Sequence, residues 1–183
     1  MRRSSEETKA LILAAARERF GTVGYQAATI RSIAADAHID PSMVMRYYGN
    51  KEKLFAAAAE FDLRFPDFAT TDRTQVGRSI VRHFLERWEG DEALVILLRS
   101  SATNGEAAQQ MHEIFGAQIR PLVASFAPAE ESDVRAGLIA TQILGMALCR
   151  FVLRLPPVVE MTRDEIIESL GPTIQRYLGL PDE

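Results

Sequence analysis

The stretch HIDPSMVMRYYGNKEKLF, residues 38–55, places Ser42, Met43, Met45, Arg46 and Tyr47 just after an Asp-Pro pair and follows them with Lys51 and Lys53. If residues 40–48 form a helix, Ile39, Val44 and Tyr48 share one side and the first five residues share the other. A solvated helix face normally carries Glu, Lys and Gln. This one carries two methionines, a tyrosine and an arginine, with no acid. Such a set suits a nucleic-acid groove: cationic and hydroxyl donors meet phosphate oxygens, an arginine pairs with a guanine edge, and apolar atoms meet thymine methyls. The chemistry is binding rather than bond-making. Three scattered histidines and the single Cys149 form neither a nucleophile-base set nor a metal-ligand spacing. His83 and His112 read as surface or satisfied core residues, and Cys149 as a small core hydrophobe. Glu106, His112 and Glu113 could be imagined in a cleft, but nothing favours it. The expectation is a protein that is no enzyme and needs no metal or cofactor.

The elements that must hold this face read as helices throughout, with no convincing alternating strand. Ile12, Ala16 and Phe20 recur at spacing four, giving a helix over 5–22 that ends in GTVGY. Thr29 is an N-cap for a second helix with Ile30, Ile33, Ala34 and Ala37 on its apolar side. Asp40 caps a third, with Pro41 at its first position, where a missing N–H costs nothing. The second and third helices are joined by the short turn AHID, which is the helix-turn-helix arrangement, its second helix entering the major groove. Gly49 and Asn50 interrupt the chain, and Lys51 opens a helix reaching about Arg64, closed by Pro66. Further helices are expected over 73–89, 91–101, 105–126, 130–155 and 162–178, with Pro121 kinking or splitting the third of these. The helix at 130–155 is apolar on several faces and must be covered on several faces.

Net charge is −4, so a globally basic polyanion binder is excluded. The first 60 residues nevertheless carry a net +2 and the remainder −6, which locates any polyanion contact in the first third. One cysteine precludes an intramolecular disulfide. With no apolar signal region at the start and no run of 18 apolar residues, a soluble, cytoplasmic chain without a membrane span is expected.

The segment ILAAARERFGTVGYQAATIRSIAADAHIDPSMVMRYYGNKEKLF resembles the DNA-binding domain of TetR-type transcriptional regulators over about residues 8–56. The block of Phe20, Gly24 and Tyr25, then Thr29, the Ile33-Ala34 pair, the Asp-Pro helix start and the Gly-Asn-Lys-Glu ending appear in order at matching spacing. The ending LRLPPVVEMTRDEIIESLGPTIQRYL is similar to one subgroup. The resemblance implies an all-α homodimer that binds double-stranded DNA at a palindromic operator and releases it when a small molecule fills the carboxyl-terminal part. Carried over by position, Thr29 presents its backbone N–H to a phosphate, Tyr47 and Lys51 contact phosphates, and Ser42, Met43 and Arg46 lie near base edges. Arg31 and Arg46 are the guanidiniums placed for guanine. Three positions depart from the pattern. His38 replaces a turn glycine, which calls for a left-handed backbone that histidine tolerates. Met45 stands where a phosphate-contacting tyrosine is common, and Tyr48 replaces a phenylalanine.

The expected architecture is a helix-turn-helix domain at residues 1–50, a linking helix at 51–66 and a helical ligand-sensing and dimerising domain at 67–183. Gly137, Ala140, Thr141, Leu144 and Gly145, with Ile166, Leu170, Ile174 and Tyr177, are the candidate two-fold interface. Trp88, Met111, Phe115, Ile119, Met146 and Arg150 are candidates to line a cavity for a mostly apolar, unidentified effector between the helices at 73–89 and 105–126. For each of these taken singly, plain core packing is the better reading. The alternative function is a constitutive architectural DNA binder, which would have a solidly packed carboxyl-terminal domain instead of a cavity.

Overall fold

The computed structural model describes residues 4–90 and 92–181, and among them every regular element is a helix. They divide into two compact units, Met1–Phe61 with Glu92–Met111, and Asp62–Asp91 with His112–Glu183.

The first unit holds α1 (Ser5–Ala27), α2 (Ile30–Asp36), α3 (Pro41–Tyr48), α4 (Lys51–Ala58), α6 (Glu92–Ser101) and the start of α7 (Gly105–Ile114). The start of α6 expected at residue 91 lies outside the described residues. Capping explains the short helices. Ser4 and Glu7 make a reciprocal capping box on α1, Thr29 and Ser32 make one on α2, and Asp40 and Asn50 accept the orphan amides of α3 and α4. Helix α1 runs past its expected end, because only Gly24, at φ 79°, leaves helical geometry, and the chain then resumes to Ala27. Ile12, Phe20, Ile33, Val44, Leu54 and Phe55 are fully buried together. Helix α6 lies along α1, where Ile96 would sit 3.2 Å from a Cβ on Gly21 and Arg99 donates to the Gly21 carbonyl.

The linking helix is shorter than expected. It ends at Ala58, whose carbonyl accepts from Arg17 at 3.1 Å. Beyond Ala59 the chain is irregular, with Phe61 and Leu63 buried and Asp62 and Arg64 exposed, a period of two. Side chains distant in sequence take its backbone groups: Gln118 accepts from the Leu63 amide at 2.7 Å, His83 meets the Leu63 carbonyl at 2.7 Å, and Arg87 donates to the Asp62 carbonyl at 2.7 Å. These bonds offset the loss of intrahelical ones. They also settle His83 as a structural histidine, ringed by Phe65, Phe68 and Phe84.

The second unit is built on α5 (Val76–Gly90) lying along α11 (Arg163–Leu178), with α8 (Arg120–Ala124), α9 (Ala129–Ala147) and α10 (Pro156–Glu160). A Cβ on Gly77 would overlap the Gly171 carbonyl oxygen and come 2.6 Å from the Gln175 amide nitrogen, so only glycine permits this crossing. Gln175 is buried and fully used: it accepts from the Gly77 amide at 2.7 Å and donates to the carbonyls of Arg73 and Pro181. Ion pairs Arg78–Glu168 and Glu89–Arg163 flank the contact. The expected break near Pro121 takes the form of a π-helical turn at Phe115–Ile119, which absorbs the missing N–H before α8 begins. A second π-turn, Leu148–Val152, follows α9 and was not foreseen. Within Ala129–Val152, an 18-residue stretch has a mean hydropathy of 1.3, yet only 22% of it is buried within the chain.

Candidate nucleic-acid interface

The recognition surface starts from the turn between α2 and α3. His38 takes φ 53°, so the left-handed position expected where glycine is absent is realised. The turn is closed by the Ile39 amide donating to the Ala34 carbonyl at 2.9 Å. Arg19 braces α2 against α1 through a two-pronged ion pair with Asp36, and its guanidinium holds the Asp36 carboxyl below the usual carboxylate range.

On α3, Val44 is fully buried and Ile39 and Tyr48 are half-buried, as the face assignment requires. Tyr48 donates its hydroxyl to the Lys9 carbonyl at 3.2 Å, which pins the end of α3 to α1. The opposite side exposes Ser42, Met45 and Arg46 and half-exposes Met43 and Tyr47. The Ser42 hydroxyl is already turned to Asp40, and this bond, with the Ser42 amide, keeps the Asp40 carboxyl depressed. Arg46 has no ion-pair or hydrogen-bond partner among the described residues, and neither does Arg31 on α2. The Lys9 ammonium lies 5.9 Å from the Tyr47 ring centre and 3.1 Å from a Glu6 carboxylate oxygen.

Helix α4 begins beside this face. The Lys51 ammonium sits 4.3 Å from the Tyr25 ring centre and 3.4 Å from the Gln26 carbonyl. The Tyr25 hydroxyl donates to Glu52 at 3.1 Å; burial first, then that bond, raises the phenol above its ordinary value. The placement of Lys51 over an aromatic ring escaped the sequence reading. The two residues lie 26 apart, across three turns, and no local signal links them.

One expected contact changes. The Thr29 amide assigned to a phosphate is donated to Ser32 Oγ at 3.1 Å, while Thr29 Oγ1 takes the Ser32 amide at 3.0 Å. Thr29 acts as a cap, and its amide is committed inside the capping box.

The second unit corrects other assignments. Ile166 and Ile174 are buried within the chain at 2% and 0% exposure and offer no surface to a second copy. Their spacing read as one face, but that face is spent inside the unit. Gly137 and Gly145 instead look into open space, and Thr141, Gly145 and Leu170 line an open groove between α9 and α11. Ala140, Leu144 and Tyr177 are half-exposed. Of the cavity candidates, Arg150 is consumed in structure: its guanidinium donates to the Val158 and Met161 carbonyls at 2.7 and 2.9 Å, tying down α10. Met146 lines the groove between α9 and α11, beside Cys149, and not a pocket behind α5. Trp88 is buried and stacked on Phe151, with centroids 5.8 Å apart, and its indole N–H has no hydrogen-bond partner among the described residues. Ile119 is buried and Phe115 half-buried on the first π-turn, and Met111 is half-buried on α7.

Residues 12–58 match the sequence model of bacterial regulatory proteins of the tetR family, and residues 74–178 match that of the tetracyclin repressor-like carboxyl-terminal domain. A helix-turn-helix-type transcriptional repressor of Streptomyces coelicolor is 43% identical over 58 residues; this chain spans 30% of that relative's length. Among solved structures, a TetR-family regulator from Streptomyces coelicolor is 26% identical with a TM-score of 0.62, covering 97% of this chain and 98% of the other. NalD, the secondary repressor of the MexAB-OprM multidrug efflux pump in Pseudomonas aeruginosa, shares the fold at 23% identity and a TM-score of 0.70, with 96% of each chain covered. The fatty acid degradation regulator FadR from Bacillus halodurans does so at 16% and 0.69, covering 91% of this chain and 97% of its own.

Proposed function

The chain belongs to the tetR family of bacterial regulatory proteins, and on that premise we propose that it is a cytoplasmic, non-enzymatic transcriptional repressor, binding a palindromic operator as a homodimer and released by a mostly apolar small molecule. The observation that carries the reading is the uncommitted outer face of α3, where Arg46 stands exposed and unpaired beside Met45 and Tyr47. Arg46 and Arg31 read guanine edges, Ser42 and Met43 lie near bases, and Tyr47 and Lys51 hold phosphates. Thr29 supports them as a cap.

Two recognition helices must lie ~34 Å apart to read both half-sites, so the reading needs a two-fold partner. The uncovered side of α9 supplies a surface for it. Val134, Leu138 and Leu148 are exposed at helical spacing with Thr141 and Gly145 between them. Gly137 and Gly145 each cost a helix about 1 kcal/mol, and a Cβ at either would meet nothing within 4 Å among the described residues. Close approach of a second α9 gives them a purpose. For the effector, Trp88, Phe115 and Ile119 remain the candidate contacts within the second unit, the orphan indole N–H of Trp88 asking for an acceptor.

The test is selection of a bound sequence from random duplexes by the purified protein. A palindromic site is expected. Arg46→Ala should then weaken the selected site about 5- to 150-fold per half-site and relax one base position, since a paired base contact is worth ~1–3 kcal/mol. Equal losses on selected and random duplexes would place Arg46 on the phosphate backbone. A lipophilic extract fraction that changes the emission of Trp88, the only tryptophan, should release the duplex at the same concentration.

A further inference from the structure

We infer that Tyr25 is a positioning residue for DNA binding: its ring face holds the Lys51 ammonium where it meets the phosphate backbone. The inference rests on the reading of Lys51 as a phosphate contact and adds a residue that the sequence does not assign to the interface. A free lysine has a flexible four-carbon stem, and an exposed phosphate contact must overcome most of its rotamer entropy. Here the ammonium is already placed, 4.3 Å from the Tyr25 ring centre, with the Gln26 carbonyl at 3.4 Å as its second anchor.

The ring is itself held firmly. It stacks on Phe20 at 5.9 Å and stands edge-on to Phe55 at 5.0 Å, both of which are fully buried. Its hydroxyl donates to Glu52, the residue next to Lys51, at 3.1 Å. Glu52 is thereby drawn onto the phenol, one residue from the lysine that must face a polyanion. An aromatic face is a better seat than a carboxylate would be. It attracts the cation without neutralising it, so the full positive charge stays available to a phosphate and its counterion release.

The experiment uses the full-length protein and a random-sequence 30-base-pair duplex, because phosphate contacts need no operator. Binding is measured across a salt series for the wild type, Lys51→Ala, Tyr25→Leu, Tyr25→Phe and the Tyr25→Leu/Lys51→Ala pair, each checked by thermal melting. Lys51→Ala should lower the salt slope by about one per lysine lost. Tyr25→Leu should weaken binding about tenfold in a complex that engages two copies of the lysine, given the strength of exposed cation–π contacts, and should have no further effect once Lys51 is alanine. Tyr25→Phe, which keeps the ring, should bind within about twofold of the wild type. A loss from Tyr25→Leu that is the same in both backgrounds, or no loss at all, overturns the inference. No change in Lys51→Ala would strike the reading of Lys51 instead. If Tyr25→Leu fails to fold, the wild-type protein still decides: the Lys51 ε-methylene protons must resonate upfield from the ring current, and an ordinary shift overturns the placement.

Discussion

Helices α3 and α5 begin in opposite ways. Helix α3 is capped by the residue just before it, Asp40, with Pro41 filling the position where an amide would be orphaned. Helix α5 has its Gly77 amide satisfied by Gln175, 98 residues further on. The first start forms from a handful of neighbouring residues. The second also has a local cap, Asp72 accepting the Thr74 amide at 2.9 Å, but its Gly77 amide is satisfied only once α11 has docked. A recognition helix must present the same face whatever moves behind it, and local capping suits that need. A unit that carries a signal gains from the reverse, since elements that hold one another over long distances shift together.

The contrast can be broken at several points. The largest effect is expected at the uncovered side of α9. Leu138→Asp puts a charge into both copies of the proposed interface and removes a leucine worth ~1.5–3 kcal/mol from each. Sedimentation at micromolar concentration should show monomers, with α3 still folded and random-duplex binding per chain retained. A dimer that survives would move the interface off α9.

Gly77→Ala comes next. Its methyl meets the Gly171 carbonyl and the Gln175 backbone, neither of which can rotate away. Overpacking of this kind costs ~1–3 kcal/mol, and backbone on both sides puts the expected value at about 3 in urea unfolding. A loss below about 1 kcal/mol would show that α5 and α11 can separate freely.

The two caps then test the comparison itself. Gln175→Leu leaves the buried Gly77 amide and two carbonyls unpaired and should cost about 2–3 kcal/mol. Asp40→Ala removes one local cap and should cost about 1 kcal/mol. Hydrogen exchange should place the first loss in α5 and α11 together and confine the second to α3. A reversed order would mean that α3 leans on its neighbours more than α5 does.

The smallest effect concerns acid. Asp36 has a depressed carboxyl in the folded chain because Arg19 bonds it. Its unfolded counterpart binds a proton first, near pH ~3.9, so its contribution is fully present above that pH and is lost as pH falls through the lower folded value. Asp36→Asn should flatten the acid limb of the stability curve by lowering stability modestly at neutral pH and leaving it unchanged at low pH. A wild-type-like acid limb in this variant would show that the exposed pair contributes nothing.

The legibility of the sequence followed the same division. The helix starts at Ser4, Thr29, Asp40, Asn50 and Thr162 are carried by side chains within three residues of the amides they cap. Even the left-handed His38 was visible as the absence of glycine in a turn that needs it. The end of α4 was not legible, because Gln118, His83 and Arg87 decide it from 20 to 55 residues away. Helix α11, expected over 162–178, runs through Pro172, and its packing along α5 holds it there.

The sequence by itself determined the candidate recognition face: the caps, the turn and an outer side of α3 carrying Arg46, Met45 and Tyr47, all set by sterics and hydrogen bonds over a few residues. Tertiary structure decided how the residues were used. It placed Ile166 and Ile174 in the core, gave the Arg150 guanidinium to the carbonyls of Val158 and Met161, committed the Thr29 amide to Ser32, and set Lys51 on the ring of Tyr25. Periodicity names the side of a helix on which a residue lies; whether core, solvent or a second molecule meets that side depends on which distant element arrives there first.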